Sequence, residues 1–344
     1  MKRLSINPRE KQVRVTLSDV ARQVGRSVVT VSRALNGSPL VAERTKVRIQ
    51  AVSAELGFIP NLLARGLVKG RTATVGVIIP ELAHPFFATM VSGIEAVAAK
   101  RGFLVIVGES SRTARDERRC AEQYQQFRIG GIIVTPVTDT LDYALAARAA
   151  GTPVVVMARR WQQGDYVSTD DVKGGRLAAK HLLRRGHRRI ALIRREDPRH
   201  TTVQAIVRGF RDVLGSAGVT VPDCWDVKVS DGQIRDGVVA ADRLLELREH
   251  PSAMFVTSDR NALGVIQRLL ERGIRVPEDI AVISYDDIPY AECSQVPLTT
   301  IAVPKQRVGE LAAEILFERY DGVGPNEPRH VLLPPKLVIR ASCP

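Results

Sequence analysis

The residues from Ser27 to Asn36 combine a helix-start signal with side chains that suit contact with base pairs. Ser27 is a good N-cap, Val28 to Leu35 fit one short helix, and Asn36 with the following glycine ends it. Valine side chains offer apolar surface to a thymine methyl group, and Arg33 can pair with guanine or contact a phosphate. These residue types predict contacts in the major groove of DNA.

Two further helices are predicted to hold this segment in place. Thr16 is an N-cap for a helix whose apolar residues recur at helical spacing, namely Leu17, Val20, Ala21 and Val24. Gly25 supplies the turn, and a third helix runs from about Glu43 to Leu56, with Ala42 at its N-cap position. The pattern predicts a helix-turn-helix. An ordinary three-helix bundle with a solvated basic face has the same periodicity.

The charge distribution favours DNA over that alternative. Residues 1–71 hold 14 Lys and Arg against 4 Asp and Glu, a balance of +10, whereas the remaining residues hold 36 against 33, a balance of +3. A basic segment neutralises phosphates and releases counterions, which gives salt-dependent affinity for nucleic acid. A solubilising basic tail would lack the apolar periodicity that follows Val15.

From Thr74 onward, short apolar runs alternate with helical segments. Continuous apolar strands separated by helices predict parallel sheets covered on both faces, and two series of strands predict two lobes. Ligands of such folds bind beyond the carboxyl ends of the strands. The predicted buried strands are 75–79, 104–107, 132–134 and 154–157, followed by 190–193, 225–229, 253–256 and 280–283.

Several classes of protein are excluded or disfavoured. No stretch reaches the ~20 apolar residues of a membrane span, and the polar, basic segment from Met1 to Arg14 lacks the apolar core of a signal peptide. The four cysteines are far apart, and no His spacing suits a metal. No nucleotide-binding glycine loop or nucleophile elbow is present. We therefore expect a cytoplasmic protein that is not an enzyme and needs no cofactor or metal. A periplasmic-type solute-binding protein without DNA function is the alternative.

The sequence resembles the lactose-repressor (LacI/GalR) family from about Val15 to Ser342. The resemblance is carried by three segments of the basic region and by several of the core. The segments of the basic region are residues 15–21, 27–36 and 56–61, and those of the core are residues 186–191, 275–280, 285–287 and 297–301. The resemblance implies a palindromic DNA operator, a homodimer and a small-molecule effector. The DNA-binding residues that it implies are Leu17, Ser27, Val28, Val29, Thr30, Ser32, Arg33, Asn36, Asn61, Ala64 and Leu67.

The resemblance also implies a domain organisation. Residues 1–60 form an all-α helix-turn-helix domain, and residues 61–71 form a hinge that folds on DNA and inserts Leu67 into the minor groove. Residues 72–344 form a two-lobed α/β core similar to periplasmic binding proteins, with doubly wound parallel sheets. The first lobe comprises about 72–170 and 303–332, and the second lobe comprises about 171–302 and 333–344.

The predicted effector site departs from the usual pattern of the family. Phe86, Phe87, Arg159, Ser258 and Asp286 are its expected residues. Sugar-binding relatives usually carry polar or aromatic side chains at five positions that here are Ala158, Ile206, Gly232, Ser258 and Val303. Because each unmade hydrogen bond costs ~1–3 kcal/mol, a neutral monosaccharide is disfavoured. Arginines in this region either hold an anionic sugar derivative or are solvated surface charges; they are Arg159, Arg160, Arg194, Arg195 and Arg199.

Overall fold

The computed structural model describes residues 15–59, 71–196, 201–230, 232–325 and 327–344. The chain divides into two compact units, Met1–Gly70 and Arg71–Pro344. The predicted hinge residues Asn61, Ala64 and Leu67 lie outside the described residues. None of the helices in the described ranges is long and apolar enough to span a membrane.

The first unit, which we call the headpiece, contains α1 (Leu17–Val24), α2 (Val28–Leu35) and α3 (Glu43–Glu55). Local capping sets these bounds. Thr16 and Asp19 form a capping box, Gly25 adopts a left-handed conformation with a φ of 70°, and the Ser27 side chain caps α2. Ala42 provides no side-chain cap for α3. A small apolar core joins the helices, and it consists of Val20, Ala21, Val24, Val31, Ala34, Val41 and Ile49.

The second unit begins with a lobe built on a six-stranded sheet. Its strands are all parallel, in the order β11-β5-β4-β3-β1-β2. Its elements up to residue 169 are β1 (Thr74–Ile79), α4 (Pro85–Lys100), β2 (Leu104–Glu109), α5 (Ala114–Gln126), β3 (Gly131–Val134), α6 (Asp142–Ala149), β4 (Val154–Met157) and β5 (Asp165–Thr169).

The second lobe contains another six-stranded sheet, in the order β12-β10-β9-β8-β6-β7, in which only β12 is antiparallel to its neighbour. Its elements are α7 (Asp171–Arg184), β6 (Ile190–Arg195), α8 (Thr201–Ser216), β7 (Asp226–Val229), α9 (Ile234–Leu245), β8 (Ala253–Val256), α10 (Asp259–Glu271), β9 (Ala281–Asp286), α11 (Tyr290–Cys293) and β10 (Thr299–Ala302).

The last part of the chain returns to the first lobe and then to the second. Helix α12 (Lys305–Tyr320) packs against α4, β11 (His330–Leu333) pairs with β5, and β12 (Lys336–Val338) pairs with β10. The chain therefore crosses between the lobes after β5, after β10 and after β11. These crossings all involve strands at the same end of each sheet. This architecture confirms the fold class predicted from the sequence.

Two strand predictions differ from the structure. Strand β2 was predicted to be buried, but it lies at the edge of its sheet, so Leu104 is 58% exposed and Ile106 is 42% exposed. Trp225 was predicted to begin β7, but it lies in a 3₁₀ turn, where its backbone N–H donates to the carbonyl of Pro222 at 2.9 Å. Edge position and turn formation depend on tertiary neighbours that an apolar run does not reveal.

Candidate DNA-binding helix and ligand cavity

Helix α2 presents an apolar surface and one guanidinium group to solvent. Val28 is 41% exposed, Val29 is 58% exposed, and Arg33 is also exposed. Val31 and Ala34, on the opposite face, are fully buried in the headpiece core. Apolar side chains that stay in water at the start of a recognition helix suit contact with thymine methyl groups, and Arg33 suits guanine or phosphate.

Other residues that are predicted to contact DNA also form hydrogen bonds or packing contacts within the headpiece. The Ser27 hydroxyl accepts a hydrogen bond from the backbone N–H of Thr30 at 3.1 Å and pairs with the Thr30 hydroxyl at 2.8 Å. The Asn36 side-chain amide donates to the Ser32 hydroxyl at 3.5 Å. Leu17 packs partly buried against the headpiece core. These contacts stabilise α2 within the headpiece, while Val28, Val29 and Arg33 are exposed to solvent on this helix.

A cavity of about 130 Å³ opens between the two lobes of the core, beyond the carboxyl ends of several strands. Phe86, Phe87, Arg159, Ser258 and Asp286 all line it, so the structure brings the five expected residues together. The cavity is smaller than the roughly 300–1,000 Å³ of sites for drug-sized ligands, so it suits a compact molecule. The residues that depart from the family pattern line the same cavity: Ala158, Ile206, Gly232, Ser258 and Val303.

Aromatic rings from the start of α4 form one wall of the cavity. Phe86 and Phe87 meet edge to face, with ring centroids 5.3 Å apart, and the His84 ring meets Phe87 at the same distance. The His84 Nδ1 caps α4 by accepting from the backbone N–H of Phe86 at 3.3 Å. Burial, together with the neighbouring Arg260 guanidinium, lowers the pKa of His84 to about 4. This wall is therefore uncharged at neutral pH.

Two acids line the cavity, the half-buried Asp286 at the end of β9 and the buried Asp171 at the crossing after β5. Asp286 has a φ of 117°, and the Lys305 ammonium group holds its backbone carbonyl at 2.5 Å and that of Asp287 at 2.7 Å. Burial and the nearby Asp259 raise the pKa of the Asp286 carboxyl. Burial raises the pKa of Asp171 to about 7, although the Tyr285 hydroxyl donates to its Oδ1 at 3.0 Å.

The arginines of this region separate into different groups. Arg159 is only 4% exposed, lines the cavity and lies 3.5 Å from the half-exposed Asp139 carboxylate. Arg195 lines the same cavity from the end of β6. Arg194 instead makes a bidentate pair with Asp226 at 2.7 and 3.0 Å, which ties β6 to β7.

Arg160, another member of the predicted cluster, is not among the residues that line the cavity. Arg160 borders a neighbouring groove, and Arg199 lies outside the described residues. Among the described members of the cluster, Arg159 and Arg195 are thus the cations that line the cavity.

Sequence reasoning missed several cavity residues. His84, Asp171 and Tyr285 line it, as does Thr135, whose buried hydroxyl has no hydrogen-bond partner in the structure. The spacing of the strands predicts where the cavity lies, but no local signal distinguishes these residues from buried core. Within the described residues, no group of three or more His, Cys, Asp or Glu side chains could hold a metal ion.

Comparison with known proteins agrees with this arrangement. Residues 16–61 match the model of bacterial regulatory proteins of the lacI family, and residues 179–343 match that of the periplasmic binding protein-like domain. The HTH-type transcriptional repressor PurR of Vibrio atlanticus (strain LGP32) is 34% identical over 95% of this chain and 98% of its own length. The ribose operon repressor of Escherichia coli (strain K12) is 33% identical over 88% of this chain and 92% of its own length.

A solved structure is similar over nearly the whole chain. The lac repressor dimer bound to operator and the anti-inducer ONPF superposes with a TM-score of 0.85 at 28% identity, covering 96% of this chain and 99% of that one. A helix-turn-helix joined to a two-lobed core with an interlobe cavity defines a DNA-binding transcriptional repressor with an effector-binding domain, and not an enzyme. The chain belongs to the LacI family of bacterial regulatory proteins.

Proposed function

We propose that this chain represses transcription as a homodimer on a roughly palindromic operator, under the control of a small molecule in the interlobe cavity. The observation that carries the proposal is the presence in one chain of two features. One is a headpiece with an exposed reading surface at Val28, Val29 and Arg33, and the other is a core cavity lined by the predicted effector residues.

Dimer formation is supported by the exposed edge of the first lobe. Strand β2 ends its sheet and exposes Leu104 and Ile106, and an apolar sheet edge left in water favours pairing with another chain. We infer that the partner is a second copy of this chain, since two-fold symmetry would place two headpieces on the two halves of a palindrome.

The cavity lining favours a small, polar, carbohydrate-related effector, which we take to be a sugar, a sugar acid or a phosphosugar. The Asp286 carboxyl and the Thr135 hydroxyl can hydrogen-bond to ligand hydroxyls, and the aromatic wall can pack against an apolar face. Arg159 and Arg195 favour the acidic members of this set, because guanidinium groups match carboxylate and phosphate. Replacement of sugar-anchoring side chains by Ala158, Ile206 and Val303 disfavours a neutral monosaccharide.

The proposed mechanism couples the cavity to the hinge. An effector that binds two arrangements of the lobes with different affinities shifts their populations. The free energy of this shift is limited to the difference between the two binding free energies. We propose that the shift alters the folding of residues 61–71 and the insertion of Leu67 between base pairs, with Asn61 and Ala64 also contacting the operator. The direction of control, release or promotion of binding, follows from which arrangement the effector prefers.

The experiment that tests the proposal begins with selection of bound sequences from random DNA by the purified full-length protein. We expect recovery of an inverted repeat that binds far more tightly than shuffled DNA at fixed physiological salt. A thermal-shift comparison of glucose with gluconate, and of ribose with ribose 5-phosphate, then tests the cavity. Recovery of no inverted repeat contradicts the operator proposal, and stabilisation by the neutral sugars alone contradicts the acidic preference.

A further inference from the structure

The two lobes are joined by an ion pair at the side of the core away from the chain crossings. Glu81 follows β1 in the first lobe, and Arg260 lies in the first turn of α10, which follows β8 in the second. In the first sheet β1 lies three strands from β5, and in the second sheet β8 lies two strands from β10. At ~4.8 Å per strand, these separations are roughly 14 Å and roughly 10 Å. The pair therefore lies across the opening of the cleft, with the crossings on the opposite side.

The contact is close and partly sheltered from water. A guanidinium nitrogen of Arg260 lies 2.8 Å from a carboxylate oxygen of Glu81, and the two side chains are 13% and 18% exposed. Burial acts to raise the pKa of Glu81, but hydrogen bonds from Arg112 and Arg260 outweigh it and lower the pKa to about 2. The Glu81 carboxylate is therefore charged at neutral pH.

Each partner is anchored within its own lobe. Arg112 donates to Glu81 at 2.7 Å from a backbone in the left-handed region, with a φ of 59°, which is uncommon for a residue other than glycine. On the other side, Arg260 donates to the Gln233 side chain. The Asn261 side chain fixes Gln233 by donating to its backbone carbonyl at 2.7 Å.

Such anchoring distinguishes this pair from an isolated surface ion pair. An isolated exposed pair gains little because two long side chains must be ordered for one contact, whereas a network of held charges is stronger. Gln233 also reaches across the cleft to Glu81, at 3.4 Å. Asn261 and Arg112 line the cavity, so the network forms part of its boundary.

We propose that Glu81 and Arg260 are positioning residues that hold the two lobes closed over the cavity before any ligand binds. The inference rests on the proposed function only in taking the cavity as the effector site. A closed resting arrangement sets the population that an effector must shift, and hence its apparent affinity. Loss of either side chain shifts the core toward an open arrangement. Glu81 does not line the cavity, so its replacement removes no direct contact with a ligand.

The experiment measures lobe separation in the ligand-free, full-length protein. Exposed native cysteines are removed by Cys224→Ser and Cys293→Ser, and spin labels are attached at Glu122→Cys on α5 and Arg243→Cys on α9, both exposed positions. These helices follow β2 and β7, which end the two sheets on the side of the cleft opening. Double electron–electron resonance then reports the distance between the labels.

We expect Glu81→Gln and Arg260→Gln each to shift the label distance to longer values, and the double variant to shift it no further than either single variant. The matched control is Arg268→Gln on the same helix, because Arg268 forms ion pairs with Asp242 and Glu271, which both belong to its own lobe.

An unchanged distance in folded Glu81→Gln and Arg260→Gln overturns the proposal, and so does an equal shift in Arg268→Gln. Circular dichroism establishes that each variant is folded, and Arg260→Gln provides a second test because it leaves the contact between Glu81 and Arg112 in place. The measurement contains neither DNA nor effector. Failure to find an operator would therefore contradict the proposed function while leaving this distance test intact.

Discussion

At the scale of single residues, the headpiece contains side chains that pack in its core and others that face solvent. Val29 and Val47 are both 58% exposed, but Val29 lies on α2 and Val47 lies on α3. Their types and exposure are the same, so a difference in function between them must come from position. This pair offers a matched test of the reading surface.

We predict that Val29→Ala weakens binding to the selected operator about fivefold, which corresponds to ~1 kcal/mol for methyl groups that lose burial against DNA. Binding to random DNA should be unchanged, because phosphate contacts carry it. Val47→Ala should leave both affinities unchanged. Fluorescence anisotropy at fixed salt measures them, and an equal loss in the two variants would contradict the assignment of α2 as the reading helix.

The Asp171 carboxyl makes stability depend on pH. Burial raises its pKa from 3.8 to about 7, so the folded protein holds the proton more tightly than the unfolded chain does. The associated stability is fully present below pH ~4 and is lost as pH rises through about 7. We predict that the parent protein loses about 2 kcal/mol more than Asp171→Asn between pH 5 and pH 8.

Urea unfolding at the two pH values measures this difference. The Asn side chain retains an oxygen that can accept from the Tyr285 hydroxyl, so the variant keeps the hydrogen bond of the parent. Asp170→Asn is the control, since Asp170 caps α7 through the backbone N–H of Lys173 and Asn caps equally well. Parallel pH profiles for the parent and Asp171→Asn would show that this carboxyl does not titrate as described.

At the scale of elements, the sequence predicts helix bounds well where the capping signal is local. Helices α1 and α2 have the predicted bounds, and α3 ends one residue earlier than Leu56. Residue pairs brought together by the fold were not predictable. Arg194 looked equivalent to Arg195, yet its partner Asp226 lies on a neighbouring strand, and Glu81 is 179 residues from Arg260. The cavity position follows from strand order, whereas its polar network depends on such long-range pairs.

The missing cap of α3 is an element-scale weakness that can be repaired. Ala42 has an extended ψ of 141° and no side-chain hydrogen bond, which leaves the first N–H groups of α3 without a side-chain cap. We predict that Ala42→Ser stabilises the headpiece by ~1 kcal/mol. The same change inside the helix, Ala51→Ser, should destabilise it by about 0.5 kcal/mol.

Amide hydrogen exchange of α3 in the full-length protein measures both changes, because it reports the opening of the headpiece separately from that of the core. Slower exchange in Ala42→Ser and faster exchange in Ala51→Ser are expected. Equal exchange in Ala42→Ser and the parent would mean that water caps the helix as well as a serine hydroxyl does.

At the scale of the whole molecule, the proposed dimer contact at the exposed edge of the first lobe links the core to the proposed recognition of an inverted repeat. Leu104 and Ile106 are two residues apart on β2 and so lie on one face of the strand. In a two-fold symmetric interface both copies of the chain contribute the same patch, so a charge introduced in the patch lies close to the identical charge on the other copy. Such repulsion inside an apolar contact opposes dimer formation strongly.

We predict that Ile106→Lys weakens the dimer at least tenfold, or by ~1.4 kcal/mol, and lowers affinity for the inverted repeat in parallel. Affinity for random DNA should change little, because the headpiece charge is untouched. The control is Leu145→Lys on α6, which places the same charge at a position 38% exposed on another element of the lobe. Sedimentation velocity over a concentration series measures the dimer. A fully dimeric Ile106→Lys that still prefers the inverted repeat would show that the copies associate through a different surface.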